Sequence, residues 1–233
     1  MIFFDKINKK GRKMLEELIA TRATVREYLE KDIPNEDLKK ILKAGQLAPS
    51  WMNSQPWKFI LIKNQETKEL LSQMAMNQKH IKTANAVIAI VADKNVWEKE
   101  NFKNNVLKNL GIPETSWEKV LSLPLLYPNS KEKFLIRSVE QTAIAMSFMI
   151  LQARDLGVDS CVIGAIANET TQINPELKET VDKKLNLKEN EVLISLLTLG
   201  YDKNEKTPLD KASKRKDFNS VVFFEKVGQN LDF

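Results

Sequence analysis

Two uninterrupted apolar runs, Ala86-Val-Ile-Ala-Ile-Val-Ala92 and Val192-Leu-Ile-Ser-Leu-Leu-Thr-Leu-Gly200, limit the fold more than any other feature of the chain. A strand with one wet face alternates apolar and polar residues, whereas a strand covered on both faces reads as a continuous apolar run. Both segments therefore predict central strands of a sheet with helices on either side. Trp57-Lys-Phe-Ile-Leu-Ile62 predicts a further strand, residues 162–167 a short one, and Ser220-Val-Val-Phe-Phe-Glu225 a final one.

Helical patterns fall between these runs. Residues 11–30 predict a helix with Met14, Leu15, Leu18 and Ile19 on one face. Residues 34–47 predict a second. Pro34 suits its first turn, Glu36 and Asp37 complement its dipole, and Leu38, Ile41 and Leu42 form the buried stripe. Ala48-Pro49 ends it, because the residue before proline disfavours the α conformation. Residues 66–76 predict another helix. Residues 134–156 predict a long one, apolar on most sides, with Gly157 as its stop. A helix of that kind is normally buried, here against a second subunit. Strands alternating with helices predict an α/β or α+β sheet sandwich.

Residues 95–133 stand apart. They hold Trp97, Trp117, Tyr127 and three of the eight prolines, with weak periodicity. They read as an insertion or lid within a single domain spanning residues 1–233. Their aromatic residues either form a mini-core beneath the insertion or face a substrate.

Composition removes several function classes. The 233 residues are 29% charged, with 36 Lys+Arg against 31 Asp+Glu and a net charge of +5. The lysines are interleaved with acids, and no basic run exceeds Lys211-Ala-Ser-Lys-Arg-Lys216. A nucleic-acid binder would carry a clustered stripe. Cys161 is the only cysteine, so no intrachain disulfide, CxxC pair or thiolate metal site is possible, which fits a reducing cytoplasm. His80 is the only histidine, which removes HExxH zinc chemistry and any multi-histidine metal cluster within one chain. A Ser-His-Asp triad would have to use His80, and no GxSxG accompanies it. The basic residues near the N-terminus follow the apolar ones rather than precede them, unlike a signal peptide. No run of about 18 apolar residues predicts a membrane span.

Two segments carry chemistry. Arg22-Ala-Thr-Val-Arg26 sets two cations and a hydroxyl close together. Guanidinium forks bind phosphate oxygens in pairs, so this segment suits a phosphate monoester. On a helix surface the same two arginines would instead face solvent or pair with Glu27 or Glu30. Ala48-Pro-Ser-Trp-Met-Asn-Ser-Gln-Pro-Trp57 offers hydroxyl and amide groups in a proline-punctuated loop that can read the edge of a polar ring. Asn53 and Gln55 could equally be ordinary turn residues, Trp57 a core residue, and Cys161 a small packed one. Together the two segments suggest a phosphorylated, ring-bearing cofactor.

Arg22-x-Thr24-x-Arg26 followed by Ala48-Pro49-Ser50-x-x-Asn53-Ser54-Gln55-Pro56-Trp57 resembles the nitroreductase family of flavin enzymes. Ala84-Asn85-Ala86-Val87-Ile88, Gly157-Val-Asp-Ser-Cys-Val-Ile-Gly164 and Leu199-Gly200-Tyr201 with Lys214-Arg215 follow in the family's order. The resemblance covers nearly the whole chain except residues 95–133. It implies an α+β fold with a central mixed or antiparallel sheet flanked by helices, in an intertwined homodimer. It further implies two FMN molecules at the subunit interface. The reaction it implies is ping-pong: NAD(P)H passes a hydride to flavin N5 and leaves, then a small-molecule acceptor such as a nitroaromatic or quinone enters. The flavin carries the chemistry, so no protein acid, base or nucleophile and no metal is required.

The same resemblance assigns residues. Arg22, Thr24 and Arg215 would bind the FMN phosphate, with Ala23 offering backbone only. Arg26 would lie at the pyrimidine edge. Pro49, Ser50 and Asn53 would reach the flavin from the opposite subunit. Asn77, with Gln78 or His80, would hydrogen-bond the ring. Val162, Ile163 and Gly164 would line its other face, with a backbone N–H aimed at N5. There are departures. Thr24 stands in place of the commoner serine. Gly164 stands where some close nitroreductases carry an acid. Ser213-Lys214-Arg215 alters the usual Lys-x-Arg. Reductive dehalogenation, alkene reduction and flavin fragmentation occur on the same fold. A flavin-binding module without turnover is a reading of a different class.

Overall fold

In the computed structural model, residues 9–168, 171, 174–204 and 214–229 are described. The expectations for residues 1–8 and Ser213 lie outside them. The central sheet has four strands: β1 (Trp57–Ile62), β2 (Ala86–Asp93), β3 (Asp159–Ile163) and β4 (Glu191–Gly200). Their spatial order is β1-β2-β4-β3 and every pairing is antiparallel. β2 and β4 are the two apolar runs, and they lie in the middle as the pattern requires. The residues of β2 divide strictly by parity. Val87, Ala89 and Val91 pack with Leu71, Ile81 and Val181, while Ala86, Ile88 and Ile90 pack with Leu38, Ile41 and Met149. Successive side chains of a strand point to opposite faces, so one run supplies two cores.

Helices α1 (Lys9–Thr21), α2 (Asn35–Gln46) and α7 (Lys131–Asp155) and helices α3 (Gln65–Met74), α4 (Lys79–Thr83) and α8 (Pro175–Leu185) complete the main layers. Asn64 caps α3 by accepting from the Thr67 N–H at 2.9 Å, and Ser130 caps α7 through the Lys133 N–H. The chain leaves α7 through Gly157 at φ +71°, the left-handed turn that stops a helix. α7 is long and apolar enough by composition to cross a membrane, a property that run length did not anticipate. One of its faces, with Ser138, Thr142, Ala145 and Met149, is buried in the protein.

Residues 95–133 form their own small core. Short helices α5 (Lys99–Asn101) and α6 (Trp117–Leu121) accompany a π-helical turn at Phe102–Leu107. Trp97, Phe102 and Tyr127 are buried with Phe134, and the Tyr127 hydroxyl donates to the Trp97 carbonyl at 2.7 Å. The mini-core reading of Trp97 and Tyr127 therefore holds.

Two element assignments need correcting. The helix expected over 11–30 stops at Thr21, and residues 23–29 run extended beside the sheet. The strand expected over 220–225 is absent. Asp217 accepts from the Asn219 N–H at 2.9 Å and closes a 3₁₀ turn over Phe218–Ser220 instead. β-propensity alone does not make a strand without an edge to pair with.

Candidate functional site

The Arg22 segment is held by backbone pairing. Arg22 N–H closes the last turn of α1 on the Leu18 carbonyl at 3.0 Å, after which Thr24 bridges in parallel to Ser160 of β3. Val25 N–H donates to the Ser160 carbonyl at 3.1 Å. Extended backbone makes side chains alternate, so Ala23 and Val25 are buried while Thr24 and Arg26 are exposed. β-branched Thr24 and Val25 suit that geometry better than a helix. Further along, the Tyr28 hydroxyl hydrogen-bonds the Val25 carbonyl at 2.7 Å and pairs with Thr198 Oγ1 at 2.8 Å. Gly200 is required beside it, since a Cβ there would stand 2.5 Å from the Tyr28 ring and 2.3 Å from Asn85 Oδ1. Arg154 fixes the other end, contacting Thr21 Oγ1 at 3.3 Å and Asp159 at 3.2 Å.

This anchoring gathers part of the expected set. His80 on α4 lies 3.7 Å through Nε2 from Cys161 Sγ, and the Arg26 guanidinium acts on both. Burial holds the His80 imidazole below its usual value, and the nearby Arg26 charge pushes the same way. Burial pushes the Cys161 thiol up, against the pull of Arg26. The ring and the thiol are therefore both neutral near pH 7. Val162 and Gly164 are exposed on β3 and just beyond it, whereas Ile163 points into the core. Only the backbone of Ile163 can meet a ligand on the Val162 side. Asn77 is exposed on the turn between α3 and α4, where Met76 and Asn77 both have φ of 58°. Gln78 is the N-cap residue of α4. Within the described residues, neither the half-buried Arg22 guanidinium nor the Thr24 hydroxyl has a hydrogen-bonding or ionic partner.

The second motif lies elsewhere in the protomer. Ser50 Oγ accepts from the Gln55 N–H at 3.0 Å, and Trp51 N–H donates to Gln141 Oε1 of α7 at 2.7 Å. The Trp51 ring lies 5.6 Å from that of Trp97 and beneath the Arg137 guanidinium at 5.0 Å. Met52, Asn53 and Gln55 all have positive φ, between 47° and 51°. Three such non-glycine residues in one loop store strain that recurs at ligand-binding positions. Pro49 and Asn53 are exposed and Ser50 is half-buried. No hydrogen bond joins this loop to the Arg22 segment or to β3 among the described residues. Trp57 stacks beside Phe59 at 6.2 Å on β1. Arg215 is exposed in the segment before Phe218.

Sequence reasoning passed over Gln141, Tyr28 and Arg154, the residues that hold the two motifs in place. Gln141 carried a readable signal: it shares a buried face with Ser138 and Thr142, a polar patch in the most apolar of the described helices.

The Nitroreductase family profile matches residues 19–201, and the chain belongs to that family. A protein of Archaeoglobus fulgidus provisionally named NADH dehydrogenase/NAD(P)H nitroreductase is 29% identical over 189 residues, covering 81% of this chain and 86% of its own. The fold matches a crystal structure of a Bacillus subtilis protein provisionally called a nitroreductase. Its TM-score is 0.74 at 22% identity, over 91% of this chain and 99% of that one. It also matches the Vibrio harveyi NADPH:FMN oxidoreductase, solved in complex with NAD+. There the TM-score is 0.68 at 19% identity, over 94% and 80% of the two chains.

Proposed function

We infer that this NAD(P)H-dependent flavin oxidoreductase binds FMN on the Arg22 segment of one subunit under the Ser50 loop of another. The observation that carries the reading is the pairing of Thr24 with Ser160. It sets an unpartnered hydroxyl and Arg26 beside the exposed Val162 and Gly164, with His80 alongside. The phosphate needs that hydroxyl with the neighbouring Arg22, the electron-rich edge of a ring needs a cation such as Arg26, and the ring face needs an apolar shelf such as Val162 offers.

The residues present fit such a cofactor. Arg22 and Thr24, joined by Arg215, hold the phosphate. Arg26 places positive charge at the pyrimidine edge, where reduction builds negative charge. His80, kept neutral, can donate or accept one hydrogen bond there without adding a second cation. The outward turn of Asn77 offers amide contacts. Val162, the Ile163 backbone and Gly164 line the ring. Bound FMN supplies hydride acceptance from NAD(P)H and donation to an acceptor such as a nitroaromatic or quinone. The protein's part is to orient it and keep one face open.

A homodimer is part of this reading. α1 exposes Leu15 and Ile19, α7 exposes Ile136, Ile144 and Phe148, and the C-terminal segment exposes Phe218, Val221 and Phe224. Such apolar surface on α1 and α7, which pack against each other, and on the C-terminal segment marks an interface. It also brings Pro49, Ser50 and Asn53 within reach of a flavin that they cannot meet inside one protomer. Residues 95–133 act as a lid through exposed apolar residues such as Leu110, Leu123 and Leu125, since Trp97, Phe102 and Tyr127 are taken up by their own core. The single buried thiol suits a cytoplasmic setting.

The test is direct. Purified protein should be yellow, release FMN on denaturation, run as a dimer and bleach anaerobically with NADH or NADPH. Colourless protein that refuses added FMN would overturn the reading. Bound flavin that neither nicotinamide bleaches would favour a module without turnover.

A further inference from the structure

A cavity of about 1120 Å³ opens at the end of the sheet where β1 stops, β2 starts and β4 stops. It meets the candidate flavin site only at Arg26 and His80; Arg22, Thr24 and Val162 do not line it. Among the described residues its wall carries seven cationic side chains and three carboxylates. None of the six lysines among them forms an ion pair within the described residues. Glu27, one of the three acids, is engaged by Asn204 at 3.0 Å.

Lys68 makes this more than a scatter of surface lysines. It is only 8% exposed, on the first turns of α3, and its Nζ donates to the Ala84 carbonyl at 2.8 Å. An ammonium has three N–H donors, so two are left without a protein acceptor among the described residues. Buried charges are normally paired, because leaving one unpaired costs free energy. Burial lowers the affinity of Lys68 for its proton, and the adjacent Glu69 only partly opposes this. An anion entering from the cavity would supply the missing partner. Lys63, just past β1, and Lys82 of α4 stand at the same opening. Several separate point charges around a concave space suit dense, multiply charged oxygen groups better than one carboxylate.

We propose that this cavity binds a diphosphate-bearing small molecule, with Lys68 at its floor and Lys63 and Lys82 at its rim, apart from the seat of the FMN phosphate. The diphosphate can belong to the nicotinamide dinucleotide or to a free polyphosphate. The first source rests on the proposed function; the site itself does not.

The test is calorimetric titration of inorganic pyrophosphate into the purified protein with FMN added to saturation. Saturable binding at one site per chain is expected. Lys68→Met should weaken it by about ten-fold or more, and the Lys63→Gln/Lys82→Gln double variant by several-fold. Flavin absorbance should be unchanged in both. The double variant alters exposed side chains only, so it decides the matter if Lys68→Met fails to fold. The source follows from kinetics with pyrophosphate present. A raised KM for NADPH at constant kcat identifies the dinucleotide's own phosphates, and an unchanged KM identifies a free polyphosphate; either supports the site. Absent binding, equal affinity in the variants, or displacement of pyrophosphate by FMN overturns it. A protein that takes up no flavin shows this in its absorbance, while the pyrophosphate titration still reads the cavity.

Discussion

The two motif-bearing segments are held in opposite ways. Residues 22–28 are fixed by backbone pairing to β3 and by the Tyr28 hydroxyl behind them. Residues 50–55 are fixed by side chains: the Trp51–Trp97 contact, the Gln141 carbonyl and the Ser50 hydroxyl. The first segment pairs its backbone with the sheet and leaves the Arg22 and Thr24 side chains without partners among the described residues. The second carries three positive-φ residues and a buried Ser54 hydroxyl that has no partner among the described residues. Such a loop stays in place only because its surroundings over-determine it. Changes beneath the second segment should therefore unsettle the site, whereas changes on the first should alter ligand binding alone.

The largest effect should come from Trp97→Ala. Trp97 is fully buried, its ring packs against Trp51 and Phe102, and its Nε1–H donates to Ser138 Oγ at 2.8 Å. Emptying such a site costs about 3–5 kcal/mol. Thermal unfolding would measure the loss, and limited proteolysis should cut within 50–55 first. If the loop stays protected while the protein is destabilised, the side-chain clamp is not what holds it.

Arg22→Ala is the opposite experiment. The guanidinium has no partner within the described residues, so the melting temperature should barely move. FMN affinity should fall about ten-fold or more, since a charge-assisted contact contributes roughly 1.5–3 kcal/mol. Fluorescence titration of FMN would read it. Equal affinity would remove Arg22 from the phosphate site.

Gln141→Leu lies between them. It leaves the Trp51 N–H without its acceptor in a nearly dry place, at a cost of about 1–3 kcal/mol. Because the loss falls under the strained loop, FMN affinity and stability should decline together. A stability loss with unchanged FMN binding would separate the loop from the cofactor.

What was legible in the sequence follows the same division. The central strands were plain because burial on two faces leaves a run of apolar residues in β2 and β4. α2 was plain because Pro34, its acids and its stripe agree. The Arg22 segment was recognisable as a motif but not as a shape. The helical stripe of α1 carries on past Thr21 in pattern, and only the partner strand at Ser160 stops it. β3 begins at Asp159, three residues before its apolar stretch, because pairing with Gly200 and Leu199 does not depend on side-chain polarity. It ends at Ile163 because the chain then turns to place Ala167 N–H on the Met74 carbonyl. Nothing local marks Lys68 as buried or Cys161 as the neighbour of His80. Both relations are made by chain segments far apart in sequence.

The smallest effect tests the first segment through its histidine neighbour. Residues 48–57 contain no ionisable side chain, whereas Arg26 sits beside His80. His80 is held below its unfolded value of 6.5, so the unfolded chain binds this proton more readily than the folded one. Stability is then fully present above pH 6.5 and declines as pH falls through and below that value. This loss precedes that from Glu191 and the other paired carboxylates, which begins below 4.5. In His80→Gln the slope of stability against pH in the upper window should flatten while the acid limb stays. Bound FMN should steepen the wild-type slope if a neutral imidazole serves the ring, because protonation would then cost both folding and cofactor. A slope indifferent to FMN would leave His80 a packing residue beside Cys161 and confine the ring's polar contacts to Asn77 and Arg26.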